Sequence, residues 1–195
     1  DRNGWNFPNT ETAVNAAAST SIKHVMLTAT LGVAIYIVAT KLYAIAFTVG
    51  NGGALTFGSA ATVNDADTGI FADICRVSDT SYAIGYLDDG GSDYIYIRMG
   101  SVSGTTITQG DESASMSGTS AATVDDGVGI CKPRNGVLAV VYADDDTYGY
   151  CAAATYTTIT VGTPGTAVEF ATASQNSDLP RCASHADGYI AVEYQ

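Results

Sequence analysis

Basic residues are scarce in this chain. Eight Lys and Arg face twenty Asp and Glu over 195 residues, and the formal net charge is −12. Phosphate backbones are gripped by clustered Lys and Arg, so this balance argues against nucleic acid as a partner. Anionic membrane surfaces are disfavoured for the same reason. No stretch approaches the ~20 consecutive apolar residues of a membrane-spanning helix. Residues 33–49 come nearest, but Thr40 and Lys41 interrupt them, and they read as two buried strands. No membrane insertion is expected.

Groups that carry catalysis are also few. The histidines are His24 and His185, the glutamates Glu11, Glu112, Glu169 and Glu193, and the single tryptophan is Trp5. There is no Gly-x-Ser-x-Gly, His-Glu-x-x-His or phosphate-binding loop. Glu193 has no second carboxylate at a spacing that sequence can establish, as glycoside hydrolysis would need. Arg76, Arg98, Arg134 and Arg181 are scattered, and the Asp-box turn of sialidase-type propellers is missing. The expectation is a protein that is not an enzyme. Helix-favouring Glu, Lys, Arg and Gln are sparse, and only residues 13–20 offer a helix candidate. The chain opens at Asp1 without a visible signal peptide and reads as mature, processed or partial.

What the chain has instead is a repeat of about fifty residues. One copy, Cys75 to Gly110, reads CRVSDTSYAIGYLDDGGSDYIYIRMGSVSGTTITQG, and the next, from Cys131 to Gly162, reads CKPRNGVLAVVYADDDTYGYCAAATYTTITVG. In both, the cysteine precedes a tyrosine, Tyr86 or Tyr142, by eleven residues. A third start, at Cys182, runs to Gln195. A weaker copy precedes them over residues 22–58, and Gly58, Gly110 and Gly162 are each 52 apart.

Each copy reads as strands. Residues 82–86 and 137–142 are apolar or aromatic runs bounded by Asp/Gly/Ser clusters. Residues 94–98 and 148–152 follow as third strands, and 105–108 and 157–160 as fourth strands, after turns at Ser103-Gly104 and Tyr156. Residues 70–77 and 128–132 supply the first strands. Four short antiparallel strands per repeat is the arithmetic of a β-propeller blade. The fold expected is therefore all-β, a β-propeller-like array of four-stranded antiparallel blades. Three repeats are complete, with partial units at both ends. The units run 1–21, 22–68, 69–121, 122–176 and 177–195 within one repeat domain. Either the ends pair into a small closed ring or the chain is a segment of a longer array, and the second is favoured.

Three residue classes recur in the repeat. Cys75, Cys131 and Cys182 share one position on the first strand, which lies nearest the axis of a propeller. A small apolar residue suits that place, and an axial metal or disulfide is the sharper alternative. Cys151 has no repeat equivalent. The acidic runs Asp88, Asp89, Asp93 and Asp144, Asp145, Asp146 occupy the turn after the second strand. A second set, Asp65, Asp67, Asp125 and Asp126, lies between units. Local turn chemistry accounts for them first, and clustered carboxylates that hold Ca²⁺ are the alternative. No other cofactor is expected. Among the tyrosines, alternation sets Tyr94 and Tyr96 on one face of their strand, opposite Ile95 and Ile97. Tyr94, Tyr96, Tyr148 and Tyr150 read first as packing between blades, and second as an aromatic surface for a ligand such as a glycan.

The sequence Tyr86-Leu-Asp-Asp89, the tyrosine strand 94–98 and the segment 102–110 together resemble repeats in long proteins of tailed phages and environmental bacteria. The next unit keeps the pattern in Tyr142-Ala-Asp-Asp145 and 154–162, with Tyr156 in place of a glycine. The first unit departs from it, with Tyr36-Ile-Val-Ala39 where the acidic turn should stand. The resemblance covers residues 22–195 and implies a virion appendage or surface protein, located on a virion or outside a cell. The expected function is a structural or receptor-binding component that forms a homo-oligomer or contacts neighbouring virion proteins. A secreted lectin-like module that binds a surface glycan is the alternative.

Overall fold

The computed structural model describes residues 19–64, 68–88, 94–117, 127–143, 148–171, 180–185 and 187–193. Among them are sixteen strands, one 3-10 turn at Asn51–Gly53 and no α-helix. The first sheet runs β1 (Thr20–Met26), β2 (Leu31–Val38), β3 (Lys41–Val49), β4 (Leu55–Phe57), with β5 (Ala61–Asn64) also paired to β3. The second is β6 (Thr68–Ser78), β7 (Ser81–Asp88), β8 (Tyr94–Ser103), β9 (Thr106–Glu112). The third is β10 (Val128–Arg134), β11 (Val137–Ala143), β12 (Gly149–Thr157), β13 (Thr160–Pro164), with β14 (Val168–Ala171) also on β12. A fourth sheet holds β15 (Arg181–Ser184) and β16 (Ile190–Glu193). Neighbouring strands are antiparallel in every sheet. The chain is thus all-β, built of four-stranded antiparallel units.

Two local expectations need correcting. The third unit turns at Thr158-Ile159, not at Tyr156, and its fourth strand starts at Thr160, not Thr157. Thr158 takes the left-handed conformation (φ 53°) that Gly104 (φ 63°) takes in the second sheet, so the turn forms there without a glycine. The fourth strand is also broken in the first and third sheets, where β4 and β5, or β13 and β14, replace the continuous β9.

The sheets stack through their apolar faces. Strand alternation gives β8 two separate faces. Ile95, Ile97 and Met99 point toward the third sheet and meet Val128, Ile130, Leu138, Val140 and Tyr142. Tyr82, Ile84 and Tyr86 of β7 point the other way and meet Val33, Ile35, Leu42 and Ala44 of the first sheet. The second sheet is therefore buried on both sides. A smaller cluster of Ala34, Tyr36, Ile45 and Phe47 covers the far face of the first sheet.

The first strands β1, β6, β10 and β15 lie side by side. Asp73 of β6 ties three sheets there: it accepts Lys23 Nζ of β1 at 3.2 Å and the backbone N–H of Ile130 of β10 at 3.1 Å. The Lys23–Asp73 pair is 40% and 23% exposed, which limits it to at most about 1 kcal/mol. Burying one Ile side chain such as Ile84 contributes about 1.5–3 kcal/mol, and Ile84 is one of several. Apolar burial holds the stack, and the polar tie fixes its register.

The outer edges are set by two glycines. A Cβ on Gly58 would sit 2.0 Å from the Thr105 carbonyl oxygen, in the β8–β9 turn of the next sheet. A Cβ on Gly110 would sit 2.0 Å from the Ile159 carbonyl oxygen, in the β12–β13 turn of the sheet after that. The recurring glycine is thus a socket for the following sheet's outer turn.

Candidate functional site

Tyrosines of the repeat gather in three related clusters. In each of the first three sheets a tyrosine on the second strand lies directly across from one on the third: Tyr36 and Tyr43, Tyr86 and Tyr96, Tyr142 and Tyr150. Directly opposed residues bring their side chains within contact range. The rings of Tyr36 and Tyr43 stack at 5.6 Å and 19°, and those of Tyr142 and Tyr150 at 5.6 Å and 21°. Tyr86 and Tyr96 are tilted, with centroids 6.2 Å apart. A third ring joins the latter two pairs. Tyr94 meets Tyr96 edge-on at 6.4 Å, and Tyr148 meets Tyr150 at the same distance with a 40° tilt. Such offset and edge geometries are the favoured ones for aromatic rings.

Tyr94, Tyr96, Tyr148 and Tyr150 are all half-buried. Tyr36, Tyr86 and Tyr142, beneath them, are buried. Tyr86 and Tyr142 thus pack between sheets, Tyr36 packs on the far face of the first sheet, and the half-buried rings form the rim of each cluster. Sequence reasoning selected four of these tyrosines but missed the Tyr36–Tyr43 pair, because the first unit lacks the acidic turn that marked the others. The signal was available in Tyr36, which stands where Tyr86 and Tyr142 stand in their units.

Burial raises the pKa of Tyr86 most, and the hydrogen bond from its hydroxyl to Glu112 and the Glu112 charge raise it further. Burial also raises Tyr82. Tyr96 is raised by its partial desolvation, then by the charges of Glu112 and Asp88. Tyr36 is raised by desolvation and by Tyr43. These phenols stay neutral at ordinary pH, and that of Tyr86 donates to Glu112.

Asp88 ends β7, half-buried, and lies opposite Tyr94. Together with Glu112, which accepts from the Tyr86 hydroxyl, it places carboxylates beside the aromatic cluster of the second sheet. Asp89, Asp93, Asp144, Asp145 and Asp146 lie outside the described residues, as do Asp65, Asp67, Asp125 and Asp126. Among the described residues no group of three or more His, Cys, Asp or Glu is placed to hold a metal ion. Cys75, Cys131 and Cys182 do lie on the neighbouring first strands β6, β10 and β15, and all four cysteines are thiols.

At the opposite end of the second and third sheets, away from the tyrosines, the hairpin turns enclose an open cleft of about 600 Å³ lined by Arg76, Val77, Ser78, Asp79, Thr80 and Lys132. Arg76 is paired with Asp79. Lys132 Nζ donates to the Val77 carbonyl at 2.6 Å and to Asn135 Oδ1 at 3.3 Å. Its cations are thus engaged within the cleft wall. No pattern in the sequence marks this cleft, because its lining joins the β6–β7 hairpin of one repeat to Lys132 on β10 of the next. No family model, curated protein or solved structure matches this chain.

Proposed function

We propose that this chain is a non-enzymatic structural or receptor-binding component of a phage virion or another extracellular assembly, built from β-propeller-type blades. The observation that supports this most directly is the recurrence of one aromatic cluster at the same end of successive sheets. Repetition presents the same chemical surface at regular intervals. That arrangement suits contacts made many times weakly rather than once tightly, since linked sites raise avidity without new contacts. The side-by-side first strands support the propeller reading, because blades around an axis approach one another through those strands. Partners of this reading are further copies of the chain or neighbouring virion proteins, joined by symmetric repetition.

The half-buried rings of Tyr94 and Tyr148 favour a second reading, a lectin-like surface on which a sugar ring stacks. Light scattering on the purified chain, with and without EDTA, tests the first reading. A regular oligomer that ignores sugars is its expected outcome. A monomer with saturable glycan binding, lost in Tyr94→Ala and Tyr148→Ala, would replace it with the lectin reading. Dissociation by EDTA would assign the acidic turns to a divalent cation such as Ca²⁺.

A further inference from the structure

We propose that Cys131 and Cys182 form a redox latch, two thiols poised to close into a disulfide that fastens the fourth sheet to the third. The backbone brings them together first. Gly129 of β10 packs so tightly on β15 that a Cβ there would lie 3.0 Å from both Arg181 Cα and Cys182 N. Cys131 stands two residues further along β10, on the same face of the strand. Its thiol is hydrogen-bonded to that of Cys182. A disulfide needs the paired backbones close and the side chains converging; the Gly129 contact brings the two strands close, and the thiol–thiol hydrogen bond points to the convergence.

The other thiols are engaged differently. Cys75 is hydrogen-bonded to the backbone of Ala83, its register partner within its own sheet. Cys151 lies on β12, the third strand of its sheet, away from the row of first strands. The shared proton between Cys131 and Cys182 supports the pairing: the hydrogen bond lowers the pKa of Cys131 and raises that of Cys182. The proton of the pair therefore stays on Cys182, the half-buried thiol, and Cys131, which is buried, carries the thiolate character.

The oxidant is a low-molecular-weight disulfide of the glutathione class. Cys182 passes its proton to the Cys131 thiolate as its sulfur attacks one of the oxidant's sulfurs and expels the first external thiolate, which leaves a mixed disulfide on Cys182. Cys131 gives up its proton and attacks the Cys182 sulfur, expelling the second external thiolate. Two protein thiols are oxidised to one disulfide, and one external disulfide is reduced to two thiols. The fourth sheet gives the latch its purpose. It has two short strands whose side chains are all exposed or half-buried, so a covalent tie adds what its packing lacks.

The full chain is equilibrated with oxidised and reduced glutathione, alkylated, and mapped by mass spectrometry after proteolysis. The expected result is loss of two hydrogens and one cross-link between Cys131 and Cys182, retained in Cys75→Ser and Cys151→Ser and absent from Cys131→Ser and Cys182→Ser. Amide exchange in β15 and β16 of the oxidised wild-type chain is expected to slow roughly tenfold or more. Four free thiols after oxidation, a mixed glutathione adduct as the end product, or a cross-link through Cys75 or Cys151 would each overturn the proposal. The wild-type mapping stands even if a serine variant fails to fold.

Discussion

At the scale of single residues, turn conformation and burial decide more than identity does. Thr158 holds a left-handed backbone conformation where the second sheet uses Gly104. A β-branched residue is strained there, so Thr158→Gly should raise stability by about 1 kcal/mol, read as a higher denaturant midpoint with an unchanged slope. Tyr82 and Tyr86 make a different point. Both are fully buried, and both are raised above the ordinary phenol value near 10. Below pH 10 each phenol is neutral in folded and unfolded chains alike, and the stability it contributes is fully present. Above pH 10 only the unfolded chain releases these protons, so stability falls as pH rises toward the folded-state values. An absorbance titration of phenolate should show that, of the twelve tyrosines, Tyr82 and Tyr86 ionise only as the chain unfolds. Normal titration of all twelve would contradict this burial.

At the scale of elements, the socket glycines carry the sharpest test. Gly110→Ala places a methyl group against a backbone carbonyl that cannot swing aside, and overpacking of this kind costs about 1–3 kcal/mol. Gly165→Ala, whose new Cβ would come no nearer than 3.5 Å to other atoms, should be close to neutral in the same denaturation experiment. Much of this level was legible in the sequence. Alternation in residues 94–98 separates Tyr94 and Tyr96 from Ile95 and Ile97, and the two faces do serve different sheets. The turn at Thr158-Ile159 was not legible, because a threonine in a left-handed position gives no sign in composition. The split of the fourth strand into β13 and β14 was hidden for a related reason: pairing to β12 is decided across the sheet, not along the chain. The tyrosine clusters were half legible. Repetition identified the residues, but ring packing across strands depends on register, which repetition alone does not supply.

At the scale of the molecule, the stack predicts a gradient of stability. The second sheet is packed on both faces, while the fourth has two strands without a fully buried side chain. Repeat architectures open by local units whose stability follows their neighbour contacts. Native-state hydrogen exchange of the reduced chain should therefore be slowest in β7 and β8 and fastest in β15 and β16. Uniform protection throughout would show instead that the sheets open together. The proposed latch acts at the low end of this gradient: a disulfide between Cys131 and Cys182 closes a loop of about fifty residues, worth about 4 kcal/mol in the chain-entropy account.

The glycine sockets also bear on how such a chain can drift. What each socket requires of the incoming turn is a backbone carbonyl, which every amino acid owns. The turn residue can accordingly be Thr105 in one junction and Ile159 in the next. On the other side of the junction only the one residue without a side chain will do. Copies of the repeat are thus free to diverge along their turns while one letter, recurring every 52 positions at Gly58 and Gly110, remains the mark by which successive copies still recognise each other.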